Sequence, residues 1–556
     1  MNVRNMKKLK KSLAITMLTS VLVASTVLGS PYSVHAKEKN DLVPLRSVAE
    51  ALGAKVSWDQ QKQEITVERG SDVIVLTAGQ EQAIVNGTSL KLDEKPIVQS
   101  NRSYISLHTI NKLLTNQVEW DEETGSILFS NQNYEINATQ FVHKLFSGNA
   151  SGITNIMSQA LKNTIPQDAM WSSIGQQYAL LAGKPVMLKD LSMEYNDVHI
   201  NAVMSYETTN APLNIIVRFD QDGYVDDLSI DIAASVSPYT KPDYDTGNYI
   251  EEEVVIGEGS FAVPGTFTVP KGEGPFPVVI LVHGSGPHDR DSTISGTKVF
   301  KDLAVGLASR NIAVLRYEKV TKEHTFKVSG QPQFTLKNES VDDVYHAMEW
   351  LQQRGEVDKD KLYVAGHSQG GFVMPKIIEQ DEGNDITGAI LISAPSSTFI
   401  DALVEQQKVV IDKMKTLGLP QEVVSSQEQN AVMMEQIKAM LLDPAYSKDN
   451  MPSTFPMSPA YWWYEQRDYV PAGVMKDMNK PLLVLQGEND WQVSMEQFEG
   501  WKTALEDHSD TTFISYPAMN HLLTDYEGVS IGLEYSTPAN VSKKLITDIA
   551  DWILKR

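Results

Sequence analysis

Apolar and polar positions fall into three successive patterns along the chain. In residues 41–130, Leu45, Val48 and Leu52 share one face of a helix predicted over 45–52, followed by Val56-Ser57-Trp58-Asp59, a turn and an alternating strand. The pattern returns 62 residues on without a gap, with Leu107, Ile110, Leu114, Val118, Trp120, Asp121, Ile127 and Phe129 matching Leu45, Val48, Leu52, Val56, Trp58, Asp59, Ile65 and Val67. This is a duplicated αβ unit, and its equivalent Trp58 and Trp120 read as core side chains. Residues 133–248 open with helical segments at 139–146 and 153–163 and continue as alternating strands at 198–206, 213–219 and 224–232. Asp220-Gln221-Asp222-Gly223 between the last two is a hairpin signal, so this is a small α+β domain, ended by a linker at 238–248.

From residue 250 the pattern changes. Apolar strands without polar alternation are predicted at 277–282, 312–316, 362–365, 389–393, 481–486 and 512–516, separated by helical segments such as 341–352 and 372–379. That alternation predicts an α/β domain over 250–556, its parallel sheet covered on both faces. The stretch at about 396–479 is far longer than a loop. Leu403, Val410, Met414 and Leu417, then Met433, Ile437, Met440 and Leu441, keep helical spacing and predict a helical lid, whose Tyr461-Trp462-Trp463-Tyr464 and methionines suit an apolar acyl group.

Composition narrows the function classes. With 48 basic and 71 acidic residues the chain carries −23, and five of the positives lie in residues 1–36. A surface this acidic repels nucleic acid and anionic lipid headgroups. The 556 residues include no cysteine, which removes disulfides, thiolate metal sites and a Cys nucleophile. Residues 1–36 read as a signal peptide, with a basic start, an apolar run over 13–29 and Val34-His35-Ala36 before the cut. The expectation is a secreted or extracytoplasmic protein; the alternative is that the apolar run is kept as an anchor.

The chemistry sits after the strand ends. Gly366-His367-Ser368-Gln369-Gly370-Gly371 follows one buried strand and precedes a helix, the strand–turn–helix elbow that exposes a serine nucleophile. Such a serine needs a base, and the base needs a partner to fix its tautomer. Asp490 follows the strand at 481–486 and His521 follows the strand at 512–516, both on the same sheet edge as Ser368. Glu488 competes for the acid, and His283, His288, His346, His367 and His508 for the base; position favours Asp490 and His521. For the oxyanion hole the Gln369 N–H is one donor, and the His283-Gly284-Ser285-Gly286 turn supplies the other, Ser285 being preferred to Gly286. Asp289, Arg290 and Asp291 read as an ion-pair network holding this loop.

Two resemblances rest on these residues. Val43-Pro44-Leu45-Arg46, Leu52-Gly53-Ala54 and Val56-Ser57-Trp58-Asp59 make residues 41–130 similar to the copper amine oxidase N-terminal-like domain; His108 is the only histidine there, too few for a copper site. The layout of 133–248 is similar to a cystatin-like or NTF2-like module. His283 to Asp291, Gly366 to Gly371 and Gly487-Glu488-Asn489-Asp490 make 250–556 resemble the α/β-hydrolase superfamily, in particular EstD-type esterases and the dienelactone-hydrolase-like group. One departure is Val320-Thr321 after Arg316-Tyr317-Glu318-Lys319, where such enzymes often carry Arg-Gly. The resemblance implies a serine carboxylesterase using Ser368, His521 and Asp490, acting on a small-molecule ester without metal or organic cofactor. A peptidase or acyltransferase could use the same triad. A non-enzymatic reading makes the chain an envelope-binding module, with cell-wall contact through the N-terminal domain; the oligomeric state is left open.

Overall fold

The computed structural model describes residues 42–99, 102–114, 120–121, 126–127, 133–233 and 238–556. The leader expected at 1–36, and Val118 and Phe129 of the second repeat, lie outside these residues. No helix among the described residues is long and apolar enough to cross a membrane. The described residues divide into two compact units, one holding those of 42–233 together with 324–330, the other holding 238–323 and 331–556.

In the first unit the duplication appears as a helix followed by an antiparallel hairpin, twice. Helix Leu45–Ala51 precedes the strands Lys55–Asp59 and Glu64–Arg69, and helix Leu107–Leu114 precedes the short pair Trp120–Asp121 and Ser126–Ile127. Leu45, Val48 and Leu52 are buried as their spacing requires, with Ile65, Val67 and Ile110 in the same core, and Trp58 packs half-buried against it. Residues 185–232 form a four-stranded antiparallel meander covered by helices Tyr134–Phe146 and Asp168–Ala182. The two parts join by backbone pairing, Gly70 N–H to Leu188 O at 2.8 Å and Leu188 N–H to Gly53 O at 2.6 Å.

Residues 324–330 belong to this unit although they follow the second strand of the α/β pattern in sequence. The domain expected over 250–556 is therefore not one contiguous body. Asp227 accepts the backbone N–H groups of Phe326 and Lys327 at 3.0 and 2.9 Å. Asp226 takes His199 Nε2 at 2.9 Å, Ser158 Oγ at 2.6 Å and the Lys327 ammonium. Burial pushes the Asp226 carboxyl up, but these partners outweigh it and hold it well below the usual carboxylate range. A carboxylate depressed in the folded state contributes stability above its unfolded value of about 3.9, lost progressively as pH falls below that. Asp226→Asn, which removes the carboxylate charge that Lys327, His199 and Ser158 all bond, should lower stability by about 1–3 kcal/mol at pH 7 in urea unfolding of the full chain, the gap from the parent narrowing below about pH 4.

The second unit is built on one eight-stranded sheet: β1 (Tyr249–Ile256), β2 (Val263–Pro270), β3 (Phe276–Val282), β4 (Ala313–Tyr317), β5 (Val357–His367), β6 (Ile386–Ile392), β7 (Leu482–Gly487) and β8 (Thr511–Tyr516). Their order is β1-β2-β4-β3-β5-β6-β7-β8. The pairs from β4 to β8 are parallel, while β1 and β2 join antiparallel at one side, so the sheet is mixed rather than all-parallel. This is the α/β-hydrolase fold expected from the sequence. One face is covered by helices Val299–Ala308 and Lys543–Leu554, where Leu303, Leu307, Ile546 and Ile549 bury against Val279, Val314 and Ile390.

The long insertion is helical, with helices Phe399–Thr416, Gln421–Leu441, Ala460–Gln466 and Pro471–Met475. Its first two helices bury Val410 and Met414, and Val424, Gln427, Ile437 and Leu441. Leu417 and Met433, expected on the apolar faces, are exposed.

Candidate functional site

Because β3 to β8 run parallel, every loop that follows one of them opens at the same sheet edge. Ser368 stands in the turn between β5 and helix Gln369–Phe372, at φ +54° and ψ −116°, a sparsely populated conformation for a residue with a Cβ. Its N–H donates to Ile392 O at 2.9 Å, and its carbonyl accepts from Gly371 and Phe372 at 3.0 Å. The flanking glycines are required by close approach. A Cβ on Gly366 would lie 2.3 Å from the Gly370 carbonyl carbon, and one on Gly370 would lie 2.2 Å from Val282 O. Gly370→Ala must displace the elbow; since a shift of about 1 Å can cost 10²-fold, fluorophosphonate labelling should slow by about that factor, and a rate within threefold of the parent would contradict this geometry.

Asp490 and His521 meet. His521 Nδ1 lies 2.7 Å from Asp490 Oδ2, both side chains buried. Asp490 Oδ1 accepts the N–H groups of Gln492 and Val493 at 2.8 and 3.0 Å, fixing the carboxylate in its turn. Asn520 Oδ1 holds the next loop by accepting from Leu522 N, Thr524 N and Thr524 Oγ1. Glu488 instead accepts from Ser515 Oγ on the exposed side.

The other histidines are held by backbone or carboxylate partners. His367 donates from Nε2 to His521 O at 2.9 Å, its ring 4.8 Å from that of His521. His283 donates from Nε2 to Tyr317 O at 2.7 Å. Burial first, then the neighbouring imidazole (His288 beside His283, His521 beside His367), drives both well below the usual imidazole range and keeps them neutral. His508 bonds Met478 O, and the half-exposed His346 lies beside Asp343.

Ser285 and Gly286 are exposed in the loop after β3, and Gln369, the first residue of the elbow helix, is buried. A Cβ on Gly284 would lie 3.3 Å from Ser368 Cβ, so this loop lies directly against the elbow. His288 Nε2 donates to Ser285 O at 2.9 Å, and burial and the Lys319 charge push its imidazole down to about 4. The expected ion pairs form at two of the three residues: Arg290 bonds Glu318 at 3.0 Å and also Glu253, and Asp291 bonds Lys298 at 2.8 Å and Arg316 at 3.0 Å, while Asp289 instead accepts the Thr293 N–H at 2.8 Å. Sequence reasoning had not given Lys319 a role. It is 1% exposed, and its ammonium donates to Gly284 O at 2.7 Å, Glu339 Oε1 at 2.7 Å and Gln369 Oε1 at 2.9 Å. Only its place at the end of β4 hinted at proximity, since its partners are 20 to 50 residues away.

Beyond the elbow, Phe372, Phe399, Trp462 and Trp463 form an aromatic wall with ring centroids 4.9 to 5.8 Å apart. The one group with metal-ligand chemistry among the described residues is His199, Asp226 and His324 in the other unit. The Lys327 ammonium on the same carboxylate already supplies a positive charge there.

Comparison with known proteins gives matches to both parts of the chain. The copper amine oxidase N-terminal domain family matches residues 27–129, and the family described as serine aminopeptidase, S33, matches residues 274–527. Esterase EstD of Thermotoga maritima is 30% identical over 427 residues, covering 76% of this chain and 96% of that protein. The primary amine oxidase of Klebsiella aerogenes is 32% identical over 82 residues, 15% of this chain and 11% of that one. Among solved structures, Est1E from Butyrivibrio proteoclasticus has a TM-score of 0.34 at 15% identity, covering 55% of this chain and 99% of its own. The esterase domain of a Rhodothermus marinus protein has a TM-score of 0.33 at 14% identity, covering 55% and 98%.

Proposed function

The chain belongs to the EstD family of α/β-hydrolase esterases, and on that premise we propose that Ser368, His521 and Asp490 form its catalytic triad and that it works outside the cytoplasm. Ser368 Oγ attacks the ester carbonyl carbon while His521 Nε2 takes its proton. The carbonyl oxygen becomes an oxyanion held by the Ser285 and Gln369 N–H groups. Collapse of this intermediate breaks the bond to the leaving alcohol, which takes the proton from His521. Water, deprotonated by His521, then attacks the acyl-serine; the acid leaves and the proton returns to Ser368. Asp490 accepts from His521 Nδ1 throughout, which keeps Nε2 free as the base.

The observation that carries this reading is the buried 2.7 Å contact of His521 with Asp490 on the edge where Ser368 stands in its positive-φ elbow. The aromatic wall from Phe372 to Trp463 suits an apolar acyl group. The test is hydrolysis of p-nitrophenyl acetate, butyrate and octanoate beside fluorophosphonate labelling. Labelling with ester turnover supports the esterase triad. Labelling without it, together with release of p-nitroaniline from aminoacyl anilides, would favour the peptidase reading that the serine aminopeptidase match keeps open. Export is supported by the leader pattern at 1–36 and the absence of cysteine; finding the protein only in the cytosolic fraction would overturn it. The N-terminal repeat supplies none of the proposed triad or oxyanion residues, and its proposed role is contact with the cell wall. Because 324–330 completes the unit that contains the repeat, retention on isolated walls is best measured with the full chain.

A further inference from the structure

Three side chains behind the elbow form a chain of contacts that the triad does not need. Lys319 is buried at the end of β4, and its three ammonium protons meet three acceptors: Gly284 O, Gln369 Oε1 and Glu339 Oε1. Glu339 lies in a π-helical turn over Lys337–Val341, a local widening that often marks functional sites. Its other oxygen, Oε2, accepts the indole N–H of Trp462 at 2.7 Å. Trp462 belongs to the lid helix Ala460–Gln466 and packs on Phe399 and Trp463.

The contact with Gly284 O has a consequence fixed by peptide geometry. In a planar trans peptide the carbonyl of one residue and the N–H of the next point in opposite directions. The peptide between Gly284 and Ser285 is trans, so a bond that fixes Gly284 O also fixes the direction of the Ser285 N–H. The next peptide is fixed by a different group, since His288 holds Ser285 O and thereby aims the Gly286 N–H. Each candidate donor in this loop thus has its own clamp. Lys319 has in addition the side chain of Gln369, whose N–H is the other proposed donor.

We propose that Lys319 is the positioning residue of the oxyanion hole, aiming the Ser285 N–H through Gly284 O and holding Gln369. Glu339 and Trp462 extend this clamp into the lid, so that the seating of the lid sets the geometry in which the oxyanion is bound. The proposal rests on the triad reading above and assigns Ser285 rather than Gly286 as the loop donor.

The test uses the full-length protein with Lys319→Met, Trp462→Phe and His288→Ala, beside Ser368→Ala. Steady-state hydrolysis of p-nitrophenyl butyrate is measured with inhibition by an alkylboronic acid, whose boron bonds to the serine Oγ and places a hydroxyl where the oxyanion would sit. Losing one oxyanion donor costs about 10²–10³-fold in kcat. Loss of its clamp should cost about 10–10²-fold in Lys319→Met, with KM within about threefold and boronate affinity falling by the same factor as kcat. A residue that merely supported the fold would lower thermal stability without moving kcat and boronate affinity together. Trp462→Phe keeps a ring and removes the N–H, and should show the same paired loss at about 3–10-fold. It decides the case if Lys319→Met does not fold. Folded variants with kcat and boronate affinity both within twofold of the parent would overturn the proposal. So would a paired loss of about 10²-fold in His288→Ala alone, which would make Gly286 the donor. Failure of the triad reading is seen separately, as turnover that survives in Ser368→Ala.

Discussion

Ser368→Ala should lower hydrolysis of p-nitrophenyl butyrate by more than about 10³-fold and abolish fluorophosphonate labelling, with thermal unfolding unchanged. The size follows from the proposed role: with Ser368 as the nucleophile, its loss prevents the acyl-enzyme from forming, and what remains is the rate supported by oxyanion stabilisation and binding alone. The unchanged stability follows from the local geometry. The strain of the elbow, at φ +54°, comes from carrying any Cβ there, and alanine keeps the Cβ that serine has. The close contacts that shape the turn belong to Gly366 and Gly370 and to the backbone bond from Ser368 N to Ile392 O, none of which involves the hydroxyl. Turnover above about a thousandth of the parent in a folded variant would place the nucleophile elsewhere.

The parts of this architecture legible in the sequence are those set by short-range pattern. Strands β3, β6 and β7 and the C-terminal half of β5 are apolar and buried because both faces are covered, and the candidate residues follow strand C-terminal ends within a few positions, so order along the chain places Ser368, Asp490 and His521 at one edge. β1 was not legible, because Glu251-Glu252-Glu253 breaks its apolar run. It is an edge strand, where charges are tolerated, and Glu251 is bonded by Lys301 and Arg316 while Glu253 is bonded by Arg290. Helix Asp168–Ala182 and strand Pro185–Tyr195 were missed in the same way: the strand carries Lys189, Asp190, Ser192 and Glu194, and its inward positions are decided by pairing with Ile200–Thr208. The lid helices were recognised, but not their buried faces. Gln427 is buried because its amide bonds Gln407 of the neighbouring helix, a partner that hydrophobic spacing does not register. Long-range pairing also decides the two largest surprises. Lys319 is buried because residues 284, 339 and 369 converge on its ammonium, and 324–330 joins the other unit through Asp226 and Asp227, about 100 residues earlier.

Asp490→Asn should reduce kcat by about 10⁴-fold while leaving KM and folding nearly intact. The present geometry says why a near-isosteric change is so costly. One carboxylate oxygen accepts the N–H groups of Gln492 and Val493, and the other accepts from His521 Nδ1. An asparagine can satisfy the two backbone donors only with its carbonyl oxygen, which turns its NH₂ toward His521. That NH₂ can only donate, so Nδ1 must become the acceptor and the imidazole proton moves to Nε2. In the proposed triad the ring would then present a proton to Ser368 where a lone pair is needed, so general-base catalysis should stop although every side chain remains in place. Glu488→Gln is the control, since Glu488 bonds Ser515 on the exposed side and should change kcat by less than about threefold. A kcat within tenfold of the parent in Asp490→Asn would rule out this orienting role, and a 10⁴-fold loss in Glu488→Gln instead would place the acid two residues upstream.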